Sequence, residues 1–158
     1  MKQVHITRFL SILFVALTLA PSGAHLLELP NKITLPADDY LTVQQIYSGW
    51  ALLGFVIFAA VLTTAVHVAV LRLRKQPYAL AIVGLACLLA GQAVFWAFTY
   101  PANQETLNWT MLPAHWTHLR AQWEYSHAAG ALLNFSAFVA LLWAATRGQG
   151  GGSSDRAV

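Results

Sequence analysis

A chain of 158 residues that is 58% hydrophobic and only 9% charged is not an ordinary soluble domain, in which about a quarter of the residues carry charge. The net charge of +3 calls for no nucleic-acid partner, because the basic residues fall where membrane topology wants them. Cys87 is the only cysteine, which excludes an intrachain disulfide; inside an apolar run it reads as a small buried hydrophobe.

The first apolar run, 9–29, reads FLSILFVALTLAPSGAHLLEL, with Pro21 and Gly23 as candidate kinks. The same region also parses as a secretory leader, KQVHITR then FLSILFVALTLA then SGA, cut after Ala24. The apolar character continues through HLLEL, however, which favours a complete span of roughly 20 residues. A second span is predicted over 47–71 and a third over 78–100, ended by Pro101. The connection that follows contains PAHWTHLRAQWE, either a short interfacial helix or an outward extension of the fourth span at 123–145. Residues 147–158 form a Gly/Ser tail with nothing to bury, expected to be disordered.

The predicted fold is therefore all-α: a single four-helix transmembrane bundle over 1–146, with the lipid bilayer as its partner. Lys2, Arg8, Arg72, Arg74, Lys75, Arg147 and Arg156 flank the spans on one side, against Lys32 and Arg120 on the other. That bias puts both termini in the cytoplasm, in the cytoplasmic membrane if the source is bacterial. Tyr47, Trp50, Tyr100, Trp109, Trp116, Trp123 and Tyr125 then gather at the outer interface as an aromatic belt.

Of six acidic residues, only Glu28 and Glu124 touch the spans. Each has a histidine three positions deeper, His25 and His127, and residues three apart share a helical face. HxxE and ExxH are mirror images in sequence, but the first and fourth spans run in opposite directions, so the reversal cancels in space. Two imidazoles and two carboxylates should converge at one depth if those spans are neighbours. His25, Glu28, Glu124 and His127 would then suit one transition metal, iron, copper, manganese or zinc. The plainer reading is a pair of ion pairs, Glu28 with Lys32 and Glu124 with Arg120, and Pro30 argues against the first by interrupting the helix between its members. Arg120, Glu124 and His127 form one stripe on a continuous helix, so Arg120 is a candidate for an anionic substrate oxygen. Asn103 lies within reach, or is simply a turn residue. Tyr47, Trp50, Trp109, Trp116 and Trp123 are candidate walls of an aromatic substrate pocket. His115 and His118 project on other faces, His67 reads as structural, and Gln92, Asn134 and Ser136 are expected to hydrogen-bond between helices.

GAHLLELP leaving the first span, Tyr47 and Trp50 entering the second, YPANxxxxNW after the third and LRAQWEYSHA opening the fourth resemble the anthrone oxygenase-like family of small four-span membrane proteins. The resemblance covers residues 10–145 in order and spacing and points to His25, Asn103, Trp109, Arg120, Trp123, Glu124 and His127. It implies a membrane oxidoreductase that oxidises an anthrone methylene to a quinone carbonyl with dioxygen; the expected substrate is an apolar aromatic, anthrone- or quinol-like molecule that enters from the lipid. In that scheme Glu124 or His127 takes a proton and Arg120 or Asn103 stabilises the enolate oxygen. A metal at the four-ligand set would activate dioxygen; a cofactor-free route through the carbanion is the alternative. Two other classes stay open: a haem- or metal-binding subunit using His25 and His127 as axial ligands, and a small proton-coupled transporter titrating Glu28 and Glu124.

Overall fold

The computed structural model describes residues 2–147; the tail from 148 onward, expected to be disordered, lies outside the described residues. Every regular element among the described residues is helical: α1 (Lys2–Lys32), α2 (Ala37–Gln44), α3 (Gly54–Leu73), α4 (Ala79–Val94), α5 (Tyr100–Glu105) and α6 (Trp116–Arg147). Short 3₁₀ turns at Gln45–Tyr47 and Trp50–Leu53 join α2 to α3. Four continuous rods, Lys2–Lys32, Trp50–Leu73, Ala79–Glu105 and Trp116–Arg147, are long and apolar enough to cross a membrane.

Two prolines expected to break helices do not. Pro30 sits inside α1, which continues to Lys32, so Glu28 and Lys32 keep their i, i+4 relation. Pro101 lacks an N–H, and in a regular helix its ring would strike the carbonyl of Ala97. The chain accommodates it with a π turn over Phe95–Thr99, which widens the helix just ahead of the proline and lets the third rod run on to Glu105. Of the two readings of PAHWTHLRAQWE, the outward extension of the fourth span is the one found: α6 begins at Trp116. The separate short helix is α2, after the first span.

α1 lies between α3 and α6, α4 packs on α6, and α3 and α4 share a thinner seam. Gln3 accepts from the Arg74 guanidinium at 2.7 Å, joining the start of α1 to the basic turn after α3. Small residues let the rods approach closely: Ala60, Ala81 and Ala137 are buried at the contacts. Gly84 faces Leu141, whose Cγ lies 3.1 Å from where a Cβ on Gly84 would stand. Phe9, Phe55, Phe58, Leu89, Phe135 and Trp143 point outward, the apolar perimeter that hydrocarbon requires. One apolar core, with Val4, Val15, Leu71, Leu88 and Leu141, fills the half of the bundle nearest the basic turn. A second, with Tyr40, Ala102, Trp109, Leu119 and Trp123, closes the opposite end. His25 and His127 pack against Trp123 of this second core.

Gly84→Ile should wedge α4 off Leu141 and lower stability by about 1–3 kcal/mol, the usual cost of overpacking. Gly23→Ala, where an added Cβ meets nothing, should be neutral; thermal unfolding in detergent separates the two.

Candidate active site

His25, Glu28 and Lys32 form one stripe at the end of α1, and Glu124 and His127 a facing stripe on α6. The antiparallel packing brings the histidines together: their rings stack with centroids 4.1 Å apart and planes 30° from parallel. The carboxylates are joined through a cation. Lys32 Nζ lies 3.3 Å from Glu28 Oε1 and 3.3 Å from Glu124 Oε1, and donates to the Tyr47 hydroxyl at 2.7 Å. Two of its N–H groups donate to Glu28 Oε1 and Tyr47 Oη, and Glu124 Oε1 completes the contact as an ion pair. The residue is only 3% exposed, so this is a buried charge cluster, with Tyr47 and Trp123 rings each 4.4 Å from the same nitrogen.

Glu28 Oε1 also accepts from Tyr47 Oη and from His25 Nδ1, the latter at 2.9 Å. A carboxylate can only accept, so the proton is on Nδ1 and the neutral imidazole keeps its lone pair on Nε2. Glu124, fully buried, accepts from Tyr40 Oη at 2.9 Å, and Gln44 Nε2 donates to that hydroxyl at 2.6 Å. Burial first, and then the adjacent carboxylates, push the Tyr40 and Tyr47 phenols well above the usual range. Both therefore remain protonated donors at any ordinary pH.

In front of this cluster is a cavity of about 540 Å³, walled by all four rods. Tyr47, Trp50, Phe95, Trp123, His25 and His127 give it an aromatic upper wall; Leu17, Val56 and Ile57 continue it in aliphatic side chains. Glu28 and Glu124 stand behind that wall, and the histidines are in it. Trp109 reaches the cavity through an unusual turn: Leu107, Asn108 and Trp109 all have positive φ, 48°, 55° and 60°. A left-handed conformation costs roughly 1–2 kcal/mol per non-glycine residue. It is held by Asn108 N–H to Asn103 O at 2.7 Å and Trp109 N–H to Thr106 Oγ1 at 3.1 Å. The outcome is an indole turned inward and 2% exposed.

Comparison with family models, with curated proteins and with solved structures finds no match.

Several expected roles need correction on this geometry. Arg120 does not pair with Glu124: it donates to Leu35 O at 2.7 Å and lies 4.6 Å over Trp116, and neither side chain lines the cavity. Glu124 is screened from the cavity and engaged by Tyr40 and Lys32, so it is not placed to take a proton from a ligand there. Asn103 is helical rather than in a turn; it lines the cavity and accepts from Trp123 Nε1 at 2.8 Å. His115 pairs with Glu105 at 2.9 Å on the exposed surface, and His67 Nδ1 meets Thr7 Oγ1 at 2.9 Å near the basic end.

The four-ligand metal set also fails on its donors. No group of three or more His, Cys, Asp or Glu side chains among the described residues is arranged to hold a metal ion. The reason is Lys32, whose ammonium stands where a cation shared by Glu28 and Glu124 would have to sit. A haem fits no better, since two rings in face-to-face contact leave no space between them for a macrocycle.

The residues that sequence reading undervalued are Lys32, Tyr40 and Gln44. Lys32 carried a signal, lying seven residues after His25 and four after Glu28 on one face. Tyr40 and Gln44 are four apart in a loop helix, with nothing local to show that they turn toward α6.

Lys32→Met leaves two buried carboxylates without their cation and should destabilise the protein by about 3 kcal/mol. Adding Glu124→Gln should recover at least half of that loss. Equal melting temperatures for the single and double variants would show that the two residues do not interact.

Proposed function

We propose that the protein is a membrane oxidoreductase that oxidises an activated methylene on an apolar aromatic molecule, of anthrone type, with dioxygen. The observation that carries this reading is the Glu28–His25 pair: an imidazole oriented by a carboxylate, with its ring in the wall of an aromatic cavity at membrane depth. A histidine held in one tautomer by a carboxylate is a general-base arrangement. An apolar pocket between hydrophobic rods suits a substrate that partitions from lipid. The resemblance of GAHLLELP, YPANxxxxNW and LRAQWEYSHA to the anthrone oxygenase-like family supports the same chemistry. The thin α3–α4 seam is the side from which such a molecule would enter.

The steps balance on this chain's residues and dioxygen alone. His25 Nε2 takes one methylene proton, leaving a carbanion delocalised over the arene, and Glu28 stabilises the imidazolium. The carbanion passes one electron to dioxygen; the radical pair joins in a C–O bond, giving a peroxide anion that the imidazolium protonates. Neutral His25 then removes the second methylene proton as the O–O bond breaks. The carbon becomes a carbonyl, and the departing hydroxide is protonated to water. One CH₂ and one O₂ become one C=O and one H₂O. His127, stacked on His25, and Trp123 hold the base in place.

We place the start of α1 and the end of α6 on the cytoplasmic side, from the bias of the basic residues. Gln3 bonded to Arg74 puts the start of α1 at the same end as Arg72, Arg74 and Lys75. Among the described residues, Lys32 and Arg120 are the only Lys or Arg side chains at the cavity end, and both are engaged within the protein.

Purified protein in detergent should consume dioxygen and anthrone one to one and yield anthraquinone. His25→Gln should lower kcat by about 10²-fold or more, as loss of a general base does, and Glu28→Gln by less. The wild-type rate should survive exhaustive chelation. A protein inert towards anthrone and related arenols at every pH would end this reading.

A further inference from the structure

The cavity has a second polar end, and the reaction proposed above does not use it. Thr99 Oγ1 and Ser126 Oγ are 2.7 Å apart, which aligns the third rod with α6 at the level next to His127. From there Gln92 lies seven residues back along the third rod and Asn134 eight residues on along α6. Both are therefore roughly 10–12 Å deeper by helix rise. Their common depth has a direct marker: Asn134 Oδ1 is 3.9 Å from where a Cβ on Gly91, the neighbour of Gln92, would stand. Asn134 Nδ2 donates to Ser22 Oγ at 3.2 Å, and Ser22 lies one turn below His25 on α1.

Gln92 breaks the usual rule for amides inside a bundle, where an interhelical hydrogen bond is the default. Its side chain makes no hydrogen bond among the described residues, although it lines the cavity. Between the two polar ends the wall is apolar: Leu17, Pro21, Val56, Ile57, Phe95 and Gly130. The space beside Gly130 is open, since a Cβ there would meet nothing within 4 Å. The glycine also lies on the α6 stripe His127, Gly130, Asn134. A ligand filling this space meets a histidine at one edge, apolar walls across its width and amides at the far edge.

We propose that Gln92, with Asn134 beside it, receives an oxygen on the substrate edge opposite the carbon that His25 deprotonates. The anthrone of the proposed reaction carries its carbonyl across the ring from the methylene, and that is the oxygen Gln92 meets. Removing a proton at the first edge sends negative charge to the oxygen at the second. A donor there stabilises the charge as it develops, so Gln92 takes the role first assigned to Arg120. This rests on the reaction proposed for the same cavity.

The test uses anthraquinone, with oxygens on opposite edges, and anthracene, with none, titrated against tryptophan fluorescence of the detergent-solubilised full chain. Wild type should bind anthraquinone more tightly than anthracene. Gln92→Met, close in shape, should weaken anthraquinone roughly tenfold, the order expected for one lost hydrogen bond, and leave anthracene unchanged. With anthrone it should lower kcat on the order of 10²-fold with little change in KM. Gln92→Glu, the same shape with an anionic acceptor in place of the donor, should show the same pattern if the Met variant fails to fold. Gly130→Phe should abolish binding of both probes. Unchanged anthraquinone affinity and unchanged kcat in both Gln92 variants would overturn the role of Gln92 while leaving the His25 chemistry standing. Wild type that binds neither probe would remove both.

Discussion

One buried ammonium organises the end of this bundle. Glu28 and Glu124 belong to rods that meet side by side, and two carboxylates brought together away from water repel each other and lose hydration. Lys32, from the last turn of α1, places its nitrogen between them, within ion-pair distance of both. Tyr47 and Tyr40 add hydroxyl donors from the loop, so the first connection is tied down by the charges it covers. The carboxylates are thereby fixed in position and screened from the cavity, while the imidazoles, with Tyr47 and Trp123, face it. Where a metal would have supplied positive charge, this chain supplies its own.

That arrangement separates structural electrostatics from chemistry. Glu124 is fully buried and serves the fold. Glu28 reaches further: one oxygen takes Lys32, Tyr47 and His25 together, and so fixes an imidazole in the cavity wall. Removing Lys32 therefore perturbs His25 as well as the packing. Trp109 shows a comparable investment, since a turn of three left-handed residues is maintained to carry one indole to the cavity wall. Strain of this kind survives where the surrounding contacts over-determine it.

The four rods and the meeting of His25 with His127 were legible because helical rise and alternating direction are enough to place residues by depth. The partnership of Lys32 was masked by a local rule: a proline two residues before it argues for a helix end, yet α1 continues to Lys32. Pro101 misled in the same way, because a π turn absorbs its effect, and nothing in FWAFTYP distinguishes that from termination. Arg120 was placed on the correct stripe, but the direction of its guanidinium depends on Leu35 O and Trp116, contacts 85 and four residues away that periodicity cannot supply. Gln92 was visible only as a polar residue in a span. Its lack of a partner becomes meaningful once the space beside it is known.

The central claim is that Lys32 bridges Glu28 and Glu124, and it can be measured without any substrate. Solid-state NMR in lipid bilayers, with ¹⁵N-lysine and ¹³C-carboxyl-glutamate labelling, reports the distance from Lys32 Nζ to each side-chain carboxyl carbon by dipolar dephasing. The account predicts strong dephasing of one ammonium resonance, weakened but not lost in Glu28→Gln and again in Glu124→Gln, because each variant leaves the other partner in place. A Lys32 signal that is untouched by either carboxylate, or that responds to only one of them, would contradict it.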